Sequence, residues 1–143
     1  LSLHDALPIL FFAFYATNLS LNKYYRKLLS PYGLTYPQYL VMLILWENDH
    51  PTVSEIGKKI FLESSTLTPL LKRLESLNLI ERKRSSSDER MVLISTTEKA
   101  KDLEKEVASI PEKILASVKC DPEKTCALTE DLRVIRANIS KEE

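Results

Sequence analysis

The chain has 143 residues, 44% of them hydrophobic and 28% charged, which is typical of one compact soluble domain. Basic and acidic residues both total 20, so overall charge does not indicate a nucleic-acid-binding protein. No apolar run approaches the ~18 residues that a membrane span requires. Positive charge is concentrated in residues 51–97, which carry eight basic and six acidic groups. We expect a cytoplasmic protein with no membrane association.

The N-terminal segment differs from the rest of the chain. Residues 1–9 (LSLHDALPI) resemble a translated cloning scar, so we expect a non-native leader followed by a single domain at 10–143. From about residue 10 to 30, apolar and aromatic residues recur at helical spacing before Pro31 and Gly33. This helix is more apolar than one buried stripe requires, which predicts that it packs against a partner chain.

Two short helices are predicted in the middle of the chain. Thr35 caps a core helix that leads to a turn at residues 48–51, and residues 52–61 form an amphipathic helix. After a polar turn, leucines at positions 67, 70, 71, 74 and 77 define a second helix over 64–78. We expect Ser64 or Ser65 to be its N-cap, which would place Pro69 near the end of the first turn.

A β-hairpin and further helices complete the pattern. The extended runs 79–84 and 90–95 enclose a polar tip, which predicts two antiparallel strands. Thr97 then begins a helix expected to reach about Val118, and Asp121 begins a last helix. The fold class is therefore mainly α with a small β-hairpin, in the order of a winged helix-turn-helix.

The outer face of the second short helix suits DNA. With the leucines turned inward, it presents hydroxyl and basic side chains: Ser64, Ser65, Thr66, Thr68, Lys72 and Arg73. At the hairpin, Arg84 and Arg90 lie on either side of the tip, and we expect Asp88 to orient the Arg90 guanidinium toward a minor groove. Each feature alone is typical of solvated surface, but their order along the chain favours DNA binding.

Several segments resemble one family. They are residues 12–16 (FAFYA), 34–40 (LTYPQYL), 45–47 (LWE), 67–75 (LTPLLKRLE), 82–85 (RKRS) and 88–90 (DER). These segments resemble the MarR family, especially its organic-hydroperoxide-sensing OhrR branch and the related staphylococcal global regulators. The resemblance implies a repressor that binds a pseudo-palindromic DNA operator as a homodimer. It also implies a winged helix at about 35–97 and dimerisation helices at about 10–30 and 98–141.

The resemblance also implies a sensor pocket. In the OhrR branch, tyrosines hydrogen-bond to a reactive cysteine of the first helix, and Tyr15, Tyr25 and Tyr36 match those tyrosines. The cysteine's position is occupied by Phe11, which has no thiol. Either the protein has lost the sensor, or a sequence error at the leader junction altered this residue. Neither Cys120 nor Cys126 clearly matches a resolving thiol, and neither requires a role.

Other functions receive less support. Only two histidines occur, and no phosphate loop or nucleophile motif accompanies them, so we expect no enzyme, no cofactor and no metal site. A protein-docking winged helix would carry exposed aliphatic residues in place of Thr68, Lys72 and Arg73. Within the family, the alternatives are a regulator that senses a phenolic ligand and a global regulator without thiol sensing.

Overall fold

The computed structural model describes residues 2–48 and 50–143. Leu1 of the expected leader and Asp49 of the expected turn lie outside the described residues. The chain divides into two compact units, one up to Val107 and one from Ala108 onward. The described residues form helices and a single two-stranded antiparallel sheet. The predicted fold class is confirmed, and within the described residues no helix is long and apolar enough to cross a membrane.

The first helix, α1 (Leu3–Leu29), begins inside the expected leader. The Ser2 side chain caps it by accepting a hydrogen bond from the backbone N–H of Asp5 at 3.2 Å. A 3-10 turn (Ser30–Tyr32) follows, and Gly33 ends it with φ +71°, a conformation that glycine adopts without steric cost. The helix is thus longer at its start than the sequence pattern indicated, because the leader was left out of that pattern. That residues 1–9 are non-native stays a prediction.

Three helices form the centre of the first unit. They are α2 (Tyr36–Glu47), α3 (Val53–Ile60) and α4 (Ser64–Ser76). A capping box begins α2, since the Thr35 side chain accepts from the Gln38 N–H and the Gln38 side chain accepts from the Thr35 N–H. The turn between α3 and α4 packs closely, because a Cβ at Gly57 would lie 3.0 Å from the Leu62 carbonyl oxygen. The core beneath these helices consists of fully buried aliphatic side chains: Leu29, Val41, Met42, Ile56, Leu67, Leu71, Leu74, Ile80 and Ile94.

The hairpin consists of β1 (Ile80–Arg84) and β2 (Val92–Thr96), paired from Ile80 opposite Thr96 to Arg84 opposite Val92. A bridge between Thr52 and Leu93 extends this pairing to the start of α3. The Ile94 N–H donates to the Pro51 carbonyl oxygen at 2.9 Å. The base of the hairpin is therefore tied to α3 through the backbone.

The region after the hairpin differs from the sequence prediction. The prediction of one helix from Thr97 to about Val118 was wrong. The structure has two helices there, α5 (Glu98–Glu106) and α6 (Ile110–Val118). Pro111 explains the break, since its ring would clash with the Val107 carbonyl in a continuous helix and it has no N–H to bond it. The last helix, α7 (Pro122–Ser140), begins at the expected cap, Asp121.

Side chains tie α5 to the rest of the first unit. The Trp46 indole Nε1 donates to the Ala100 carbonyl oxygen at 3.1 Å, which joins α2 to α5. Lys99 Nζ donates to the Leu77 carbonyl oxygen at 2.7 Å, at the end of α4. The Thr97 hydroxyl donates to the Asn78 carbonyl oxygen at 2.7 Å. Carbonyls at and just beyond the end of α4, which lack partners within the helix, are thus satisfied by the start of α5.

Candidate DNA-binding surface and tyrosine cluster

Helix α4 has one apolar and one polar face. Leu67, Leu71 and Leu74 are buried. The residues predicted to contact DNA lie on the other side: Ser64, Ser65, Thr66, Lys72 and Arg73 are exposed, and Thr68 is half-buried. The structure therefore brings all six together on one helix surface, with hydroxyl groups in its first half and cations in its second half.

The start of α4 corrects the expected cap. The N-cap is Glu63, whose side chain makes no capping hydrogen bond, while its carbonyl oxygen accepts from the N–H groups of Thr66 and Leu67. Ser64 and Ser65 are instead the first two helical residues, and Pro69 is the sixth, in the second turn. Serine is common both at N-caps and in first turns, so residue type alone did not fix the boundary. As a consequence, neither serine hydroxyl serves as the cap of α4.

The hairpin tip also differs in detail from the expectation. Asp88 Oδ1 accepts a hydrogen bond from the Arg90 backbone N–H at 3.0 Å, so it orients the turn and not the guanidinium. Arg84 Nη1 donates to the Glu89 carbonyl oxygen at 2.8 Å across the tip. In the part of the chain that the structure describes, no ion pair engages Arg90, and its side chain is exposed. Arg90 is therefore available to an external anion.

One contact near this surface was missed by the sequence analysis. Arg82 of β1 pairs with Glu75 of α4, with Nη2 at 3.2 Å from Oε1 and Nε at 3.4 Å from Oε2. Both side chains are partly buried. Glu75 and Arg82 are seven residues apart on two different elements, so no helical or strand periodicity in the sequence predicts their contact. Only the geometry of the turn between α4 and β1 reveals it.

Three tyrosines form a cluster between α1 and α2. The ring of Tyr25 lies 4.2 Å from that of Tyr36 and 6.2 Å from that of Tyr39, measured between centroids. Burial raises the pKa of all three hydroxyls above the ordinary value, and the neighbouring hydroxyls of Tyr36 and Tyr39 raise the pKa of Tyr25 further. For Tyr36, the hydrogen bond with Tyr25 opposes this rise in pKa. The three hydroxyls are therefore protonated at neutral pH, and in the hydrogen bond within the Tyr25–Tyr36 pair Tyr25 donates and Tyr36 accepts.

The other two residues of the predicted sensor pocket lie elsewhere on α1. Phe11 contacts Phe14, and Tyr15 contacts Phe12, with centroid distances of 5.8 and 6.4 Å. Phe11 is fourteen residues before Tyr25 on a continuous helix, a separation of about 21 Å at 1.5 Å per residue. Within one chain, the structure joins Tyr25 with Tyr36 but does not bring Phe11 or Tyr15 to them, so the sensor pocket stays a prediction.

Comparisons with known proteins agree with this geometry. Residues 23–107 match the family model described as transcriptional regulator SarA/Rot. The chain is 48% identical over 104 residues to the organic hydroperoxide resistance transcriptional regulator of Bacillus subtilis, covering 73% of this chain and 71% of that protein. The chain belongs to the MarR family of transcriptional regulators. The predicted resemblance to the organic hydroperoxide resistance branch of that family is confirmed by this relative.

Solved MarR-family structures share the fold. A structure of reduced AbfR bound to DNA, from Staphylococcus epidermidis, superposes with a TM-score of 0.82 at 32% identity over 95% of both chains. AbsC, a MarR family transcriptional regulator from Streptomyces coelicolor, superposes with a TM-score of 0.85 over 99% of both chains, and its 23% identity shows the fold alone. The predicted winged-helix architecture is therefore confirmed.

The cysteines of this MarR-family chain lie in its second unit. Cys120 is half-buried just before α7, and Cys126 is exposed on α7. Neither forms a disulfide, and within the described residues no group of three or more His, Cys, Asp or Glu side chains could hold a metal ion. A role for either thiol has no support from its surroundings.

Proposed function

We propose that this chain is a homodimeric transcriptional repressor that binds a pseudo-palindromic DNA operator and controls a response to organic hydroperoxides. The observation that carries the proposal is the polar face of α4, where hydroxyls and cations lie opposite buried leucines and near the exposed cation Arg90. Hydroxyl and basic side chains donate to phosphates and base edges. An arginine at the tip of a wing suits a narrow, electronegative minor groove.

Exposed apolar surface supports the homodimer. Helix α1 exposes large apolar side chains, including Ile9, Phe12 and Leu19. Helix α7 does the same with Leu128, Leu132, Val134 and Ile139. Apolar patches on this scale mark protein interfaces, and two-fold symmetry matches the two halves of a palindromic site. A second copy of the chain is the partner that covers both helices.

A sensor pocket would then be shared between subunits. Since Phe11 and Tyr25 are about 21 Å apart along α1, a residue at position 11 meets the Tyr25–Tyr36 pair only if α1 of the second copy runs alongside it in the opposite direction. The protonated tyrosines would donate to a thiolate there. Phe11 cannot become a thiolate, so the chain as it stands does not sense peroxide at this position.

Phe11 favours a second candidate within the same family. A MarR-type regulator that senses a phenolic ligand, or a global regulator without thiol sensing, needs no cysteine at position 11. Because DNA binding is common to both candidates, we place the protein in the cytoplasm as a regulator and not as an enzyme.

Selection from a random-duplex library tests the DNA-binding role. We expect enrichment of a pseudo-palindrome whose half-sites lie about one helical turn, ~10 base pairs, apart. The logarithm of the affinity should fall steeply with the logarithm of salt concentration, because phosphate contacts release counterions. Failure to enrich any sequence, or binding that is insensitive to salt, would contradict the proposal.

A further inference from the structure

The hairpin is held to the rest of the first unit on two sides. On the β2 side, the Thr52–Leu93 bridge and the Ile94–Pro51 hydrogen bond attach it through the backbone. On the β1 side, the two hydrogen bonds between Arg82 and Glu75 attach it to α4 through side chains. The first attachment does not depend on which side chains are present, whereas the second depends on one ion pair.

Open space surrounds that ion pair. Arg82 lines a groove of about 520 Å³ that also includes Thr68 and Arg90. It also lines a second groove, of about 710 Å³, that includes Glu75 and Lys99. Arg82 thus borders both of these open grooves. The ion pair therefore adds a side-chain contact between β1 and α4 beyond the buried packing of Ile80 and Leu74 at the base of the hairpin.

The two residues of the ion pair lie on elements that carry proposed DNA contacts. Glu75 follows Arg73 by two residues on α4, and Arg82 precedes Arg84 by two residues on β1. The paired contacts of Nε and Nη2 restrict rotation as well as distance, which a single point charge could not do. Arg82 is consequently occupied inside the protein, while Arg90 is available at the tip.

We propose that the Glu75–Arg82 pair is a positioning strut that fixes the wing against the recognition helix α4, so that Arg90 and the α4 face engage one half-site together. The strut rests on the proposed DNA-binding function. The proposal gives the Glu75 carboxylate a role in strengthening operator binding, although DNA phosphates repel its negative charge. Its loss would leave α4 able to enter the major groove but would let the wing vary in angle.

Removing the Glu75 charge tests the strut, because the strut and simple electrostatics predict opposite changes in operator affinity. Electrostatics alone predicts that Glu75→Gln binds operator DNA more tightly, because one repulsion of phosphates is removed. The strut predicts the opposite, an affinity about three- to tenfold weaker. The matched control is Glu81→Gln, which removes an exposed carboxylate from β1, one residue before Arg82. The control should bind as tightly as the wild type or slightly more tightly.

A double-mutant cycle tests whether the effect passes through the wing. In an Arg90→Ala background, Glu75→Gln should cause little further loss, because the wing contact that the strut positions is already absent. The charge-swapped variant, Glu75→Arg with Arg82→Glu, should recover part of the lost affinity. Fluorescence anisotropy on the selected operator gives each affinity, and the melting temperature of each variant checks that it is folded.

The outcomes separate this proposal from the proposed function. If wild-type protein binds no DNA, both are overturned. If wild-type protein binds but Glu75→Gln binds equally well or more tightly, only the strut is overturned. Equal losses from Glu75→Gln with and without Arg90→Ala also overturn it, because they would indicate a role independent of the wing.

Discussion

The winged region and the two long helices α1 and α7 use apolar residues in opposite ways. In α4, the buried Leu67, Leu71 and Leu74 lie beneath a polar surface, so the apolar side chains are covered by the chain itself. In the first half of α1 and along α7, large apolar side chains face outward. The difference indicates that the winged region is complete in one copy, whereas the long helices are built to be covered by another copy.

Two phenylalanines with the same exposure give the sharpest test of this comparison. Phe12 on α1 and Phe61 in the turn before α4 are each 68% exposed. We expect Phe12→Glu to dissociate the dimer, because a charge would be buried in an apolar interface. Operator affinity should then fall by at least about 100-fold, since each half-site is bound separately. Light scattering and anisotropy measure the two effects.

Phe61→Glu is the matched control for the dimer. It introduces the same charge at an equally exposed site in the winged region, so light scattering should still give the mass of two chains. A monomeric Phe61→Glu variant, or a dimeric Phe12→Glu variant, would break the comparison between the two regions.

The next prediction concerns the residue at position 11. The chain as it stands should remain on operator DNA when cumene hydroperoxide is added, whereas Phe11→Cys should be released, with an affinity loss of about tenfold or more. Adding Tyr25→Phe to Phe11→Cys should slow the release, because one donor to the thiolate is removed. Peroxide-driven release of the unmodified chain, abolished by Cys120→Ser or Cys126→Ser, would place the sensor in the second unit instead.

A substitution in the wing should have an effect of intermediate size on operator affinity. Arg90→Ala should weaken operator binding by about 1 to 3 kcal/mol and leave the melting temperature unchanged, because the side chain is exposed and forms no ion pair with any residue that the structure describes. Wild-type affinity in Arg90→Ala would mean that the wing does not contact DNA.

The smallest effect is expected at the tyrosine cluster. Because burial raises the pKa of Tyr25, Tyr36 and Tyr39, the folded state retains protons that the unfolded state loses. The resulting stability is fully present below the unfolded pKa of about 10 and is lost as pH rises through the folded pKa values. Denaturant unfolding between pH 9 and 11 should show this decline, and Tyr25→Phe should reduce it. A decline that does not change in Tyr25→Phe would assign it to other groups.

The sequence predicted what depends on local periodicity. The leucine spacing of α4, the Thr35 cap and the polar hairpin tip each follow from short-range chemistry, and the structure confirms them. Most of the features that the sequence analysis missed depend on the geometry between elements. The donor to Asp88 and the partner of Arg82 follow from how turns and helices are arranged. The separation of Phe11 and Tyr25, by contrast, follows from the rise of one helix and was accessible from the sequence. The break before Pro111 was accessible from the sequence, since proline inside a long predicted helix is itself a signal.

The hydrogen bond between Trp46 and Ala100 allows the intrinsic fluorescence of the protein to report on the contact between α2 and α5. Trp46 is the single tryptophan of the chain, so all indole emission comes from the contact between α2 and α5. Indole fluorescence shifts to longer wavelength when the ring becomes hydrated, and this ring is half-buried. Any event that separates α5 from α2 would therefore be visible as a red shift, without an attached dye and without a substitution.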